Sequence, residues 1–167
     1  MPGITVTVAR SEERPLLENL FQLYVHDFSE FWQGQDRGEL EPDGRFEPYP
    51  LEDYWNGEDR VPLLLRREGH LAGFALINRH FHSGRTGDWS MAEFFIVRKH
   101  RRGGLGLAAA RAIFALYPGR WEAAVVRANL PALAFWRKVA NGCGAAEELD
   151  VRTDDWNGPI LRFVVGI

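Results

Sequence analysis

Residues 89–116 read WSMAEFFIVRKHRRGGLGLAAARAIFAL. The apolar run that ends in Phe95-Ile96-Val97 has the character of a buried strand, and the Ala-rich segment from Leu107 to Leu116 is a strong helix former that stops at Pro118-Gly119. Between them lie the basic or potentially basic residues Arg98, Lys99, His100, Arg101 and Arg102, followed by Gly103, Gly104 and Gly106. A helix start leaves about four backbone N–H groups without intrahelical partners and carries about half a positive charge, so it attracts phosphate. Glycine lets the backbone come close to a ligand because no side chain intervenes. Strand, basic loop, glycines and helix in that order predict a site for a diphosphate.

Two readings compete with a specific cofactor loop. The glycines could simply form a tight turn beside a solvated basic face. Gly104, Gly106 and Ala109 also keep the spacing of a dinucleotide fingerprint, and Arg127 at the end of the next strand would suit a 2′-phosphate. In that fold, however, the strand runs straight into the first glycine and a larger doubly wound sheet follows. Here a basic pentapeptide intervenes and little chain remains.

A second motif comes one strand later, where Asn129 opens a helix and is followed by Ala132, Phe135 and Trp136. Together with Arg101-X-X-Gly104-X-Gly106, it resembles the paired signatures of the GNAT superfamily of N-acetyltransferases, which bind acetyl coenzyme A. The resemblance is close from Met91 to Gly142 and looser for the outer elements. It implies a single mixed α/β (α+β) domain over residues 1–167. The central sheet would be largely antiparallel, with about six to seven strands flanked by helices and one parallel pair splayed apart to admit the cofactor.

Placed on this chain, the resemblance implies that backbone amides of Arg102, Gly103, Gly104, Leu105, Gly106 and Leu107 hold the pyrophosphate. The main chain of Phe95 and Val97 would pair with the pantetheine arm as an added strand, Asn129 would hydrogen-bond that arm, and Phe135 and Trp136 would pack near it. A backbone N–H at Ile96 or Val97 would stabilise the oxyanion of the reacting thioester. Many family members protonate the leaving thiolate with a Tyr, and the matching position here is Trp136, whose indole cannot serve as that acid. A thiol of pKa about 8.5 leaves tolerably as thiolate, so water can deliver the proton.

An alkylamine is mostly protonated at neutral pH and must lose a proton before it attacks. Glu93, on the motif strand, is the natural base; period-two alternation puts Met91, Glu93, Phe95 and Val97 on one face, where apolar neighbours would raise its pKa. His82, Asp88 and His26 are lesser candidates. The family shapes its acceptor pocket from the first helix and the loop after it, which here offers Phe28, Phe31 and Trp32, with Tyr54 or Trp55 beyond. Asp27 and Glu30 nearby favour a cationic amine, small molecule or peptide. A non-catalytic acyl-CoA-binding or sensor module is the rival function.

The remaining elements follow from periodicity. Ile4 to Ala9 reads as a strand, and Leu16, Leu17, Leu20, Phe21, Tyr24, Val25, Phe28 and Trp32 form one broad helical stripe. The aromatic-rich segment 33–59 reads as a loop or short helix over a pocket. Val61 to Arg67 and Leu71 to Asn78 form a hairpin, Trp121 to Val126 a strand, and Ala145 to Val151 with Ile160 to Val165 the last strand pair. His80-X-His82 has a metal spacing on a strand but no third ligand identifiable in the sequence, so no metal is expected.

Composition agrees. At 167 residues, with 46% hydrophobic and 26% charged, the chain can bury one ordinary core. A net charge of -3 argues against binding nucleic acid through its phosphates. The lone Cys143, lying between two glycines, is read as structural, and with no secretory segment or membrane-spanning run a cytoplasmic setting is expected. Whether the chain forms a homodimer is left open.

Overall fold

The computed structural model describes residues 3–166; Met1, Pro2 and Ile167 lie outside the described residues. In chain order the elements are β1 (Ile4–Val8), α1 (Arg14–Phe28), β2 (Arg60–Arg67), β3 (His70–Asn78), β4 (Trp89–Ile96), α2 (Leu105–Leu116), β5 (Gly119–Ala124), α3 (Leu130–Asn141), β6 (Gly144–Arg152) and β7 (Asn157–Val165). They form one seven-stranded sheet of order β1-β2-β3-β4-β5-β7-β6. Only β4 and β5 run parallel, and they pair for just three positions, Trp89↔Trp121, Ser90↔Glu122 and Met91↔Ala123. Beyond Met91 the two strands part, and the sheet opens into a fork.

Each face of the sheet has its own core. One gathers Leu63, Leu65, Ile77 and Met91 with Ile113 of α2, Val139 of α3 and Phe163. The other packs Leu17, Leu20 and Phe21 of α1 on Leu64, Phe74, Leu76 and Phe95. Alternation along β2 and β3 divides these residues, since successive side chains leave opposite faces.

The first helix is shorter than its apolar stripe suggests: α1 ends at Phe28, a 3-10 turn carries Ser29–Trp32, and only Leu17, Leu20 and Phe21 are fully buried. The later aromatics face the cavity described below. The 33–59 segment is indeed held over the sheet. Leu51 and Tyr54 are buried, and Gln22 clasps Phe46 through both its amide atoms, at 3.1 and 2.8 Å. Trp55 donates its Nε1–H to the Ala9 carbonyl at 2.9 Å. No helix among the described residues is long and apolar enough to cross a membrane.

Candidate active site

A cavity of about 1110 Å³ runs through the fork, walled by β4, β5, the N-terminus of α2, α3 and the end of α1. Arg102, Gly103 and Gly104 all have positive φ, at 69°, 79° and 81°. This left-handed run turns the chain sharply into α2, and at Gly103 and Gly104 a Cβ would meet nothing within 4 Å. The loop is thus an open concavity backed by helix N–H groups, which fits an anion such as a diphosphate. Gly106 also serves packing: a Cβ there would come 3.2 Å from the Phe135 ring, so its lack of a side chain lets α2 and α3 approach.

Two basic residues of the loop reach across to α1. Arg101 donates Nε–H to the Ile96 carbonyl at 2.8 Å and pairs with Asp27, which also accepts from Arg98 at 2.7 Å. Asp27 is therefore countercharged by two guanidinium groups and does not present a free charge to a cationic acceptor, contrary to the sequence-based expectation. Glu30 is exposed and lies off the cavity wall.

Strand β4 also departs from simple alternation. Its register slips between Leu76↔Glu93 and Ile77↔Met91, which leaves Ala92 as an extra residue. The bulge sends Met91 into the helix-side core. Ala92, Phe95 and Val97 pack on the α1 side, and Glu93 meets Tyr24 of α1 there. Met91 and Glu93 thus do not share a face. The Val97 N–H is taken by the Ala72 carbonyl at 2.8 Å. The Phe95 carbonyl sits where a Cβ on Gly73 would be. The Phe95 carbonyl and the Val97 N–H therefore face β3, the Val97 carbonyl accepts from His100 N at 2.9 Å, and these groups are not free to pair with a ligand. Alternation turns the Ile96 N–H toward the side β5 has left.

Glu93 is partly buried, and its Oε2 accepts a 2.5 Å hydrogen bond from the Tyr24 hydroxyl. Burial pushes its pKa up to about 7, although hydrogen bonds from Tyr24 and Tyr49 act in the opposite direction. Burial and the Glu93 charge in turn raise the Tyr24 hydroxyl well above its ordinary value. Sequence reasoning placed Tyr24 in the apolar stripe and missed this contact. The available signal was a polar tip on an otherwise apolar helix face, which usually seeks a partner when buried.

At the other motif, Asn129 Oδ1 caps α3 by accepting from Ala132 N at 3.1 Å, and the residue also lines the cavity. Phe135 stacks on Phe94 at 5.6 Å, while Trp136, only 7% exposed, packs edge-on against both rings. Phe28, Phe31 and Trp32 form an aromatic cluster on the cavity wall, with Arg37 4.1 Å over the Trp32 ring. Tyr54 joins that wall and Trp55 does not.

Of the lesser base candidates, Asp88 is bound to the Arg120 backbone and side chain, His26 is exposed off the cavity, and His82 lines it. His80 and His82 sit in the β3–β4 loop and not on a strand. A third potential ligand does exist: Asp155, on the β6–β7 turn. Sequence distance hid it. Cys143 packs partly buried against the helix-side core, and burial raises its thiol pKa.

The profile of the Acetyltransferase (GNAT) family matches residues 17–141, three quarters of the chain, and the protein belongs to that family. Its activity is accordingly that of an acetyl-CoA-dependent acetyltransferase. No curated protein sequence matches significantly. Among solved structures, an acetyltransferase from Thermus thermophilus is similar at 17% identity and TM-score 0.62, covering 96% of this chain and 95% of that one. The ribosomal-protein-S18-alanine N-acetyltransferase of Escherichia coli aligns at 13% identity and TM-score 0.60, over 98% and 95% of the two chains. Aminoglycoside acetyltransferase AAC(6′)-Ib, solved with coenzyme A and kanamycin, aligns at 14% identity and TM-score 0.63, over 97% and 95%. At these identities the likeness carries the fold, and the family match carries the class.

Proposed function

We propose that the chain, acting as one catalytic unit, transfers acetyl directly from acetyl coenzyme A to a primary amine of a small molecule or peptide, with Glu93 as the base. The observation that carries this reading is the Glu93 carboxyl, held by Tyr24 on the cavity wall at the fork between β4 and β5, where burial raises its pKa to about 7. Bound acetyl coenzyme A supplies an electrophilic thioester and a thiolate leaving group. The amides of Leu105, Gly106 and Leu107 hold its diphosphate at the start of α2, inside the left-handed cradle of Arg102 to Gly104. The Ile96 N–H points to the thioester oxygen and steadies the charge that develops there. Asn129, Phe135 and Trp136 wall the pantetheine arm.

Glu93 takes the proton of the incoming ammonium, directly or through one water, and Tyr24 fixes the carboxylate toward the cleft. Phe28, Phe31 and Trp32 bind the non-reacting part of the acceptor by apolar contact. Trp136 offers no acid at the position where an indole replaces a phenol, so solvent protonates the departing thiolate.

The test is free-thiol release from acetyl coenzyme A across a panel of small amines, peptides and aminoglycosides, with wild type and Glu93→Gln side by side. Loss of turnover by at least about 100-fold with unchanged coenzyme A affinity is the expected outcome. Cofactor binding without acetylation of any amine by wild type would instead favour an acyl-CoA-binding module.

A further inference from the structure

We propose that His80, His82 and Asp155 form a binding site for a divalent transition metal of the Zn²⁺ class on the rim of the cavity, clamping the β3–β4 loop to the β6–β7 turn. The inference stands apart from acetyl transfer. The potential ligand atoms of these three residues lie within 4.8 Å of one another. His82 Nδ1 is 2.9 Å from Asp155 Oδ2, and His80 Nε2 is 3.9 Å from Asp155 Oδ1. Zinc at about 2.0–2.1 Å from each donor needs them roughly 3.3 Å apart, which small rotations of the exposed His80 and Asp155 side chains toward the half-buried His82 provide. Coordination through His82 Nδ1 places that ring's proton on Nε2, replaces the Nδ1···Asp155 Oδ2 hydrogen bond with two metal–ligand bonds, and displaces water from the ion.

Three features make this more than a chance meeting of side chains. The donors sit on two segments that are independently pinned. The turn carrying Asp155 is closed by Thr153, whose N–H donates to the Trp156 carbonyl at 2.8 Å and whose Oγ1 accepts from Trp156 N at 3.1 Å. On the other segment, His80 N donates to Asn78 Oδ1 at 3.0 Å, and Ser83 donates its N–H and hydroxyl to the buried Glu122. Orientation is also set in advance, because the His82 ring stacks on Trp156 at 4.8 Å with a 30° tilt. Finally, the close partners of the Asp155 carboxylate are the two imidazoles, while Asp150 and Glu147 each pair with Arg. Two imidazoles and one carboxylate form a donor set suited to Zn²⁺, Ni²⁺ or Fe²⁺, and unlike the all-oxygen cages of Mg²⁺ or Ca²⁺.

The site lies on the cavity rim, since His80, His82 and Trp156 all line the cavity. A bound ion therefore ties together the two segments that border this side of the opening.

The experiment is isothermal titration of the tag-free protein with zinc sulfate, paired with Co²⁺ absorption spectra and thermal melts. Expected are one ion per chain, a Co²⁺ d–d band, a higher Tm with Zn²⁺, no competition from Mg²⁺, and at least about a tenfold loss of affinity in His82→Ala and in Asp155→Asn. Asp155→Asn retains an acceptor for the His82 hydrogen bond, so it keeps the turn and removes only a charged ligand. The exposed His70 lies elsewhere, on β3, and His70→Ala should bind as wild type does. No saturable binding by wild type at 100-fold molar excess, or equal binding by His82→Ala and Asp155→Asn, would overturn the proposal.

Discussion

At Glu93 burial raises a working pKa that the Tyr24 hydrogen bond trims back. A carboxyl raised from 4.5 to about 7 in the folded protein binds more protons than the same group in the unfolded chain between those values. Its contribution to stability therefore falls as pH rises from about 4.5 to about 7 and is constant outside that window. The same shift makes the base available only above its pKa. We expect kcat/KM for the acceptor to climb with pH through a limb near 7 that disappears in Glu93→Gln. Because the Tyr24 hydroxyl lowers the Glu93 pKa, Tyr24→Phe should move that limb upward; pH–rate profiles of both variants read this directly, and an unmoved limb would remove Tyr24 from the account. Glu93 was legible in the sequence as a charge inside an apolar strand. Tyr24 was not, because 69 residues separate the two and periodicity records only which face a side chain shares.

At the scale of elements, the glycine loop and the β4 bulge divide the work. The strand–loop–helix order of residues 89–116 was readable because β-branched and aromatic residues, a basic run and an Ala-rich segment each have a strong local preference. The bulge was not readable: an extra residue such as Ala92 is defined by the register against β3, and no local signal marks it. Nor was the pairing of Arg101 with Asp27 of α1, 74 residues away. Gly104→Asp places a side chain and a negative charge in the cradle at a φ of 81° that Asp tolerates better than most residues. Calorimetry should show coenzyme A affinity lowered at least about tenfold with the melting transition retained. Affinity equal to wild type would move the diphosphate away from this loop.

For the whole molecule, the fork depends on a rigid far side. Glu122 on β5 is fully buried and accepts from Arg162 of β7 at 2.6 Å and from Ser83 of the β3–β4 loop at 2.5 Å. Removing the guanidinium leaves a buried carboxylate without its charge partner, which typically costs about 3–5 kcal/mol. Arg162→Ala should therefore lower the denaturant midpoint by that equivalent, and a change below about 1 kcal/mol would show the network to be peripheral. A largely antiparallel sheet of about seven strands with one splayed parallel pair followed from the family resemblance; the order of the strands, with β7 between β5 and β6, did not. Long-range partners such as this triad and the His80–His82–Asp155 group come from elements that only the sheet brings together. The sequence could not announce them.

The central claim is that the gap between β4 and β5 receives coenzyme A, with its phosphates at the start of α2. A crystal structure of the protein with coenzyme A tests it most directly. The account predicts diphosphate oxygens within about 3.2 Å of the amides of Leu105, Gly106 and Leu107, and the sulfur in the fork beside Glu93. Ordered coenzyme A bound elsewhere, with the loop from Arg102 to Gly104 untouched, would contradict it.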